Sequence, residues 1–245
     1  LFRSKSLIKD NLIQANISDK NNFDLIATNV LGNYGRIFSE YVFLKDFRNE
    51  KLANYISING QKYLDDIIKK QKKVVFISGH FNNFELMAMQ LEKYGVNLTA
   101  IYRPLNNIFL NKTMEKIRTH FICRKQIKKG RSGSRELVKN FKEGSSIALM
   151  IDQRVREGIS VPFFQKSCST TTIPAQLVKK YECEIVPIYI ERKKNHFFEM
   201  TVSQPLVFNK SLSIDDISVE LNKILEKMIL KNLDQWIWTH DRWQK

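Results

Sequence analysis

Cysteine, proline and glycine are scarce in this chain: three, five and nine residues out of 245. The cysteines, Cys123, Cys168 and Cys183, are odd in number, and no Cys-x-x-Cys pair occurs. That argues against a disulfide framework or a structural zinc site and points to a reducing environment. With 43% apolar residues and so little Gly and Pro, the composition is that of a globular protein rather than a disordered one. No apolar run approaches the roughly 18 residues that a membrane-crossing helix needs, and no secretory signal pattern is visible. A Gly-x-Ser-x-Gly elbow and a Gly-x4-Gly-Lys-[Ser/Thr] loop are both missing, which disfavours a serine hydrolase and a P-loop nucleotidase. There is no internal repeat and no low-complexity linker. The length suits one large domain, or one domain with a helical extension.

What is present in excess is positive charge. Forty Lys and Arg against 25 Asp and Glu give a formal charge of +15. Such a surface attracts a polyanion, be it anionic lipid, an acidic protein or nucleic acid. The cations cluster at Lys69–Lys73, at 124–135 (Arg124, Lys125, Lys128, Lys129, Arg131, Arg135) and at Arg192–Lys194. Each cluster is equally compatible with a plain solvated face. The clusters at 69–73 and 128–135 contain no aromatic residue to stack on bases, so nucleic acid is not the expected partner.

Hydrophobic periodicity divides the chain in two. Residues 1–48 read as a helical segment packing on the domain or on a bilayer, with Ile26, Val30, Tyr34, Ile37 and Tyr41 at roughly helical spacing. Residues 49–245 form the second region, in which strands and helices alternate. Strands are expected at 74–78, 97–102, 146–151, 184–190 and 196–202. Helices are expected at 83–94, 107–121, 133–142, 174–181 and 214–231. The order predicts an α/β fold, a mostly parallel, mixed central sheet flanked by helices, with active residues at the carboxyl ends of strands.

His80 falls at the tip of the apolar strand Val74–Ser78, after Gly79, and Glu85 lies in the first turn of the helix that follows. Across a strand-to-helix turn that carboxylate is placed to reach back to the imidazole, fix its tautomer and leave the other nitrogen as a general base. The same spacing also fits a structural histidine. Tyr102-Arg103-Pro104 and Asp152-Gln153 end two further strands. If the sheet is parallel there, Arg103 can stabilise an oxyanion and Asp152 can hold Arg103 or orient a substrate group. The Gly130–Ser134 stretch either aims backbone N–H groups at a phosphate or is a turn capped by Ser132 or Ser134. Of Trp236, Trp238 and Trp243, at least two are expected to pack on the sheet. His240 is read as structural, holding Asp241 or a backbone carbonyl.

Gly79-His80 with Glu85, Tyr102-Arg103-Pro104, Asp152-Gln153, Thr170-Thr171-Thr172 before a helix, and Gln235-Trp236-Ile237-Trp238-Thr239-His240-Asp241-Arg242-Trp243 occur in that order. Together they resemble the late acyltransferases of lipid A biosynthesis, the lauroyl/myristoyl type, over nearly the whole chain. The His-x4-acid motif alone is shared with glycerolipid acyltransferases, whose Pro-Glu-Gly-Thr block is absent here. The resemblance implies a glycerolipid-acyltransferase-like fold. It implies an acidic acyl carrier protein thioester as donor, an anionic lipid A precursor as acceptor, and no metal or other cofactor. It also implies work at a membrane surface, the cytoplasmic face of the bacterial inner membrane, without the anchoring N-terminal helix usual in that family. By it, His80 and Glu85 are the catalytic dyad and Arg103 and Asp152 lie at the site. Asn83, Lys128, Arg131 and Arg154 are assigned to substrate binding. The alternative acceptors are a glycerolipid and a glycosylated inositol lipid.

Overall fold

The computed structural model describes residues 4–105, 107–194 and 196–243. The N-terminal region folds as three helices, α1 (Lys5–Gln14), α2 (Phe23–Glu40) and α3 (Leu44–Arg48). Their apolar residues do not form a separate core. Ile8, Leu12, Ile26 and Val30 belong to the same buried cluster as Val75, Leu225 and Trp238. Asn11, itself buried, ties α1 to the far end of the chain by donating to the carbonyls of Trp238 and His240 at 2.7 and 2.9 Å.

The remaining elements alternate: β1 (Ile56–Asn59), α4 (Gln61–Lys69), β2 (Val75–Ser78), α5 (Glu85–Lys93), β3 (Leu98–Tyr102) and α6 (Ile108–Ile117). A π-helical turn over Arg118–Ile122 extends α6. Then come β4 (Lys125–Lys128), α7 (Arg131–Lys142), β5 (Ser146–Met150), β6 (Ile159–Phe163), β7 (Lys166–Thr170), α8 (Ile173–Tyr181), β8 (Ile185–Arg192), β9 (Phe198–Val202) and α9 (Ile214–Lys231).

Seven strands form one sheet in the order β1-β9-β8-β2-β5-β3-β4. The five from β8 to β4 run parallel, while β9 is antiparallel to β8 and carries β1 parallel to itself. The mixed, mostly parallel sheet is the one the sequence predicts. β2 is buried at every position, because strands lie on both sides of it and helices cover its faces. Its neighbour on one side is β5, in the register Ser78 opposite Met150. The tip of β2 therefore lies directly beside the tip of β5, and the tip of β3 is one strand further out.

Four strands lie outside the expected set. β1 and β4 are four-residue edge strands, and β6 and β7 form a separate antiparallel hairpin. The hairpin turn uses Phe164 and Gln165, both at positive φ, where glycine or asparagine is the usual signal. On the last helix, Ser213 and Asp216 form a reciprocal capping box. Ile217, Leu221, Leu225 and Met228 line its buried stripe.

Candidate active site

His80 sits just beyond β2 with its side chain about one-fifth exposed. Its orienting partner is Asp152, two residues beyond β5. Oδ1 of Asp152 is 2.8 Å from His80 Nδ1, and Oδ2 accepts the backbone N–H of His80 at 2.7 Å and the indole N–H of Trp236 at 2.9 Å. The carboxylate is fully buried. Burial alone would raise its pKa, but the imidazole and the hydrogen bonds hold it below the ordinary value. An ionised carboxylate at Oδ1 fixes the proton on Nδ1 and leaves Nε2 as the basic nitrogen.

Gly79 makes that approach possible. A Cβ there would lie 3.0 Å from Leu225 and from Phe81 and 3.2 Å from Asp152 Oδ2, so any side chain would push the carboxylate away from the His80 backbone. On the other side the imidazole meets the edge of Phe84, with ring centres 4.7 Å apart. His80, Tyr34, Ile37, Phe84 and Ile237 line a narrow crevice against α2, no roomier than a water molecule.

Glu85 does not take the role the sequence assigns to it. Its Oε1 accepts two hydrogen bonds from Arg118, from Nε at 3.0 Å and from Nη2 at 2.7 Å, and a third, short one from the Tyr41 hydroxyl. Burial followed by the charge of Glu85 pushes the Tyr41 phenol well up, so it stays protonated and donates. Burial works against the charge on Arg118, but Glu85 and Tyr41 together offset it and the guanidinium is held above its ordinary pKa. The carboxylate is thus spent on a buried ion pair that joins α5, the end of α2 and the π-helical turn after α6. Arg118 is the site residue that sequence reading missed. It lies inside a long helical pattern, 33 residues from its partner, and nothing in its own neighbourhood marks it. A π-helical turn, frequent at functional sites, is the structural feature that sets it apart.

The other expected residues divide. Arg103 is exposed at the tip of β3, and Asp152 holds His80 and Trp236; β5, lying between β2 and β3, separates Arg103 from His80. Asn83 is completely buried, donating to Glu40 at 2.8 Å, so it is walled off from any substrate. Glu40 in turn pairs with buried Arg192 at 2.5 Å, and Arg192 donates to Asn82 at 3.1 Å. This network fixes the carboxyl end of α2 against the sheet. Lys128 is exposed and pairs with Glu115 at 3.2 Å. The side chain of Arg131 lies outside the described residues. Arg154 gives its backbone N–H to His240 Nε2 at 3.0 Å, in keeping with a structural role for His240. Helix α7 starts at Gly130 with no side-chain cap, and Ser132 and Ser134 fall inside the helix. Trp236 and Trp238 are buried, as the packing argument requires.

Chemically, the arrangement offers a positioned base. All three cysteines are free thiols, and burial pushes Cys123 and Cys183 up to about 12 and about 11, which makes them poor thiolates. Among the described residues, no three His, Cys, Asp or Glu side chains are grouped as a metal site would need, and no helix is long and apolar enough to cross a membrane.

Residues 9–245 match the sequence profile of the bacterial lipid A biosynthesis acyltransferases. The lipid A biosynthesis lauroyltransferase of Escherichia coli is 23% identical over 206 residues, covering 80% of this chain and 64% of that protein. A lipid A biosynthesis acyltransferase of Haemophilus influenzae is 21% identical over 234 residues, covering 92% and 72%. The E. coli lipid A biosynthesis palmitoleoyltransferase is 24% identical over 200 residues, covering 80% and 64%. The chain therefore spans 64–72% of the length of these relatives, less than two-thirds of the two E. coli proteins. Among solved structures, the 1-acyl-sn-glycerophosphate acyltransferase of Thermotoga maritima superposes with a TM-score of 0.49 at 12% identity, covering 96% of this chain and 89% of that one.

Proposed function

The chain belongs to the bacterial lipid A biosynthesis acyltransferase family, and from that premise we propose that it transfers a fatty acyl chain to a hydroxyl of a lipid A precursor. The observation that carries this reading is the Asp152–His80 pair, which leaves Nε2 of a partly exposed imidazole as the free base at a strand tip. In our reading the donor is an acyl thioester on acyl carrier protein and the product is a secondary acyloxyacyl ester. No metal or other cofactor takes part. The excess positive charge of the chain fits an acidic carrier protein, a phosphorylated lipid acceptor and an anionic membrane surface, the cytoplasmic face of the inner membrane.

In this mechanism His80 Nε2 takes the proton from the acceptor hydroxyl while Asp152 stabilises the imidazolium that forms. The hydroxyl oxygen attacks the thioester carbonyl. The tetrahedral intermediate collapses, the carbon–sulfur bond breaks, and the imidazolium returns its proton to the leaving thiolate. Base catalysis of this kind supplies roughly 10²–10⁴-fold. Arg103 is our candidate for the oxyanion. β3 lies two strands from β2, about 10 Å by strand spacing, so an extended arginine has to reach inward to act. Arg118 is committed to Glu85 and serves to fix the wall of the site.

The test is to incubate the purified protein with acyl-carrier thioesters of several chain lengths and either a tetraacylated lipid A precursor or lysophosphatidic acid, with mass spectrometry of the acceptor. A mass gain of one acyl chain on the lipid A precursor, abolished by His80→Ala, is expected. Acylation of lysophosphatidic acid alone, or an active His80→Ala, overturns the reading.

A further inference from the structure

Helix α6 leads from the tip of β3 to the site, yet none of its ten residues is buried. It is held at one end by Arg118 on Glu85 and in the middle by Glu115, which accepts from Tyr102 and Asn111. Its first turn projects freely and carries Ile108, Phe109 and Leu110, which are 70%, 85% and 58% exposed, with exposed Leu105 just ahead of it. Large apolar side chains that stand this far out on one turn are not explained by packing within the chain. The backbone under them is already satisfied: the Asn107 side chain accepts from the N–H groups of Phe109 and Leu110 at 3.0 and 3.1 Å. A capped turn can enter an apolar phase without stranding those donors.

Cations accompany the apolar turn. Lys112 and Lys116 follow it on the same helix, Arg103 and Lys129 stand just past the adjacent strands β3 and β4, and all four are exposed; the one carboxylate on the helix, Glu115, is engaged by Tyr102, Asn111 and Lys128. Burial and, after it, the nearby charge of Arg103 lower the Lys129 pKa. Exposed apolar side chains accompanied by exposed cations are the pattern of a segment lying in the interface of an anionic bilayer.

We propose that the first turn of α6 inserts into the headgroup region of an anionic lipid leaflet, and that this contact presents the strand tips to the membrane. At 1.5 Å per residue the helix spans about 15 Å, which is about the distance along it from the inserted turn to Arg118. The proposal rests on the functional reading only for its purpose, delivery of a lipid acceptor; the insertion itself is measured without any acyl transfer.

Flotation with vesicles of phosphatidylethanolamine and phosphatidylglycerol at three to one, and with pure phosphatidylcholine, tests it. The wild-type chain is expected to bind the anionic vesicles and to release as salt rises. Phe109→Asp is expected to weaken binding by about tenfold or more, whereas Val207→Asp, at another strongly exposed apolar position, leaves it unchanged. A Phe109→Trp variant is expected to be quenched by brominated lipid beyond the level of the native tryptophans. Circular dichroism of Phe109→Asp should match the wild type, since the side chain is exposed. Unaltered binding by Phe109→Asp, equal binding to phosphatidylcholine, or no vesicle binding at all overturns the proposal. So does a change in Phe109→Trp fluorescence with acyl-carrier thioester but not with vesicles, which would make the turn a donor-docking site. A wild type that inserts but transfers no acyl group would sink the functional reading and leave this one standing.

Discussion

Replacing Asp152 with asparagine puts the tautomer argument to a sharp test. The carboxylate accepts one hydrogen bond at Oδ1, from His80 Nδ1, and two at Oδ2, from the His80 amide and the Trp236 indole. An asparagine has one acceptor oxygen and one NH₂. With the oxygen at the Oδ2 position, two buried donors stay satisfied and the NH₂ faces Nδ1. With the oxygen at the Oδ1 position, the NH₂ confronts two N–H groups in a buried pocket, at about 1–3 kcal/mol for each unsatisfied group. The first orientation wins. Nδ1 then becomes an acceptor, the imidazole proton moves to Nε2, and the base is lost although the fold and the ring position survive. The expected result for Asp152→Asn is a drop in kcat of about 10²–10⁴ with little change in KM. Acyl transfer followed by mass spectrometry gives the rate, and near-wild-type circular dichroism gives the control. Turnover within a few-fold of the wild type would refute the reasoning.

Other outcomes follow from the same geometry. Arg118→Met leaves the Glu85 carboxylate buried with only Tyr41 against it, and is expected to cost about 3–5 kcal/mol of stability by urea unfolding. Glu85→Gln in the Arg118→Met background should recover about 1–3 kcal/mol of that loss, and strictly additive effects would contradict the ion pair. The Asp152 pKa is lowered by folding, so its contribution to stability is complete above the unfolded value of about 3.9 and fades as pH falls through the lower folded value. Asp152→Asn should therefore show a shallower loss of stability below about pH 4 than the wild type, and identical acid limbs would contradict the lowered pKa.

Much of the sheet was readable in advance because buried parallel strands are continuous apolar runs: Val75–Ser78, Ser146–Met150 and Ile185–Arg192 all stand out. The edge strands were not. Lys125–Lys128 has one buried residue among polar ones, and Ile56–Asn59 alternates over only four residues without a buried position, too short a stretch to stand out. The β6–β7 hairpin hid for two reasons, a proline inside β6 and a turn built from Phe164 and Gln165.

At the site, the residue types were legible but their pairing was not. His80, Glu85, Arg103 and Asp152 all lie at the carboxyl ends of strands or just beyond, as the pattern suggests. Which carboxylate meets the imidazole depends on strand order, and strand order is a long-range property: β5 inserts between β2 and β3 although β3 follows β2 in the chain. That places Asp152 on His80 and leaves Arg103 at a distance. Glu85, free of the imidazole, finds Arg118. Asn83 shows the same limit in another form, since its burial under Glu40 depends on a helix more than 40 residues away in sequence.

The most direct check of the account is the protonation state of one ring. Nitrogen-15 NMR of histidine-labelled protein should show the neutral tautomer of His80 carrying its proton on Nδ1 with Nε2 bare, with the Nδ1 proton signal lost in Asp152→Ala. A His80 ring carrying its proton on Nε2, indifferent to residue 152, would contradict the central claim.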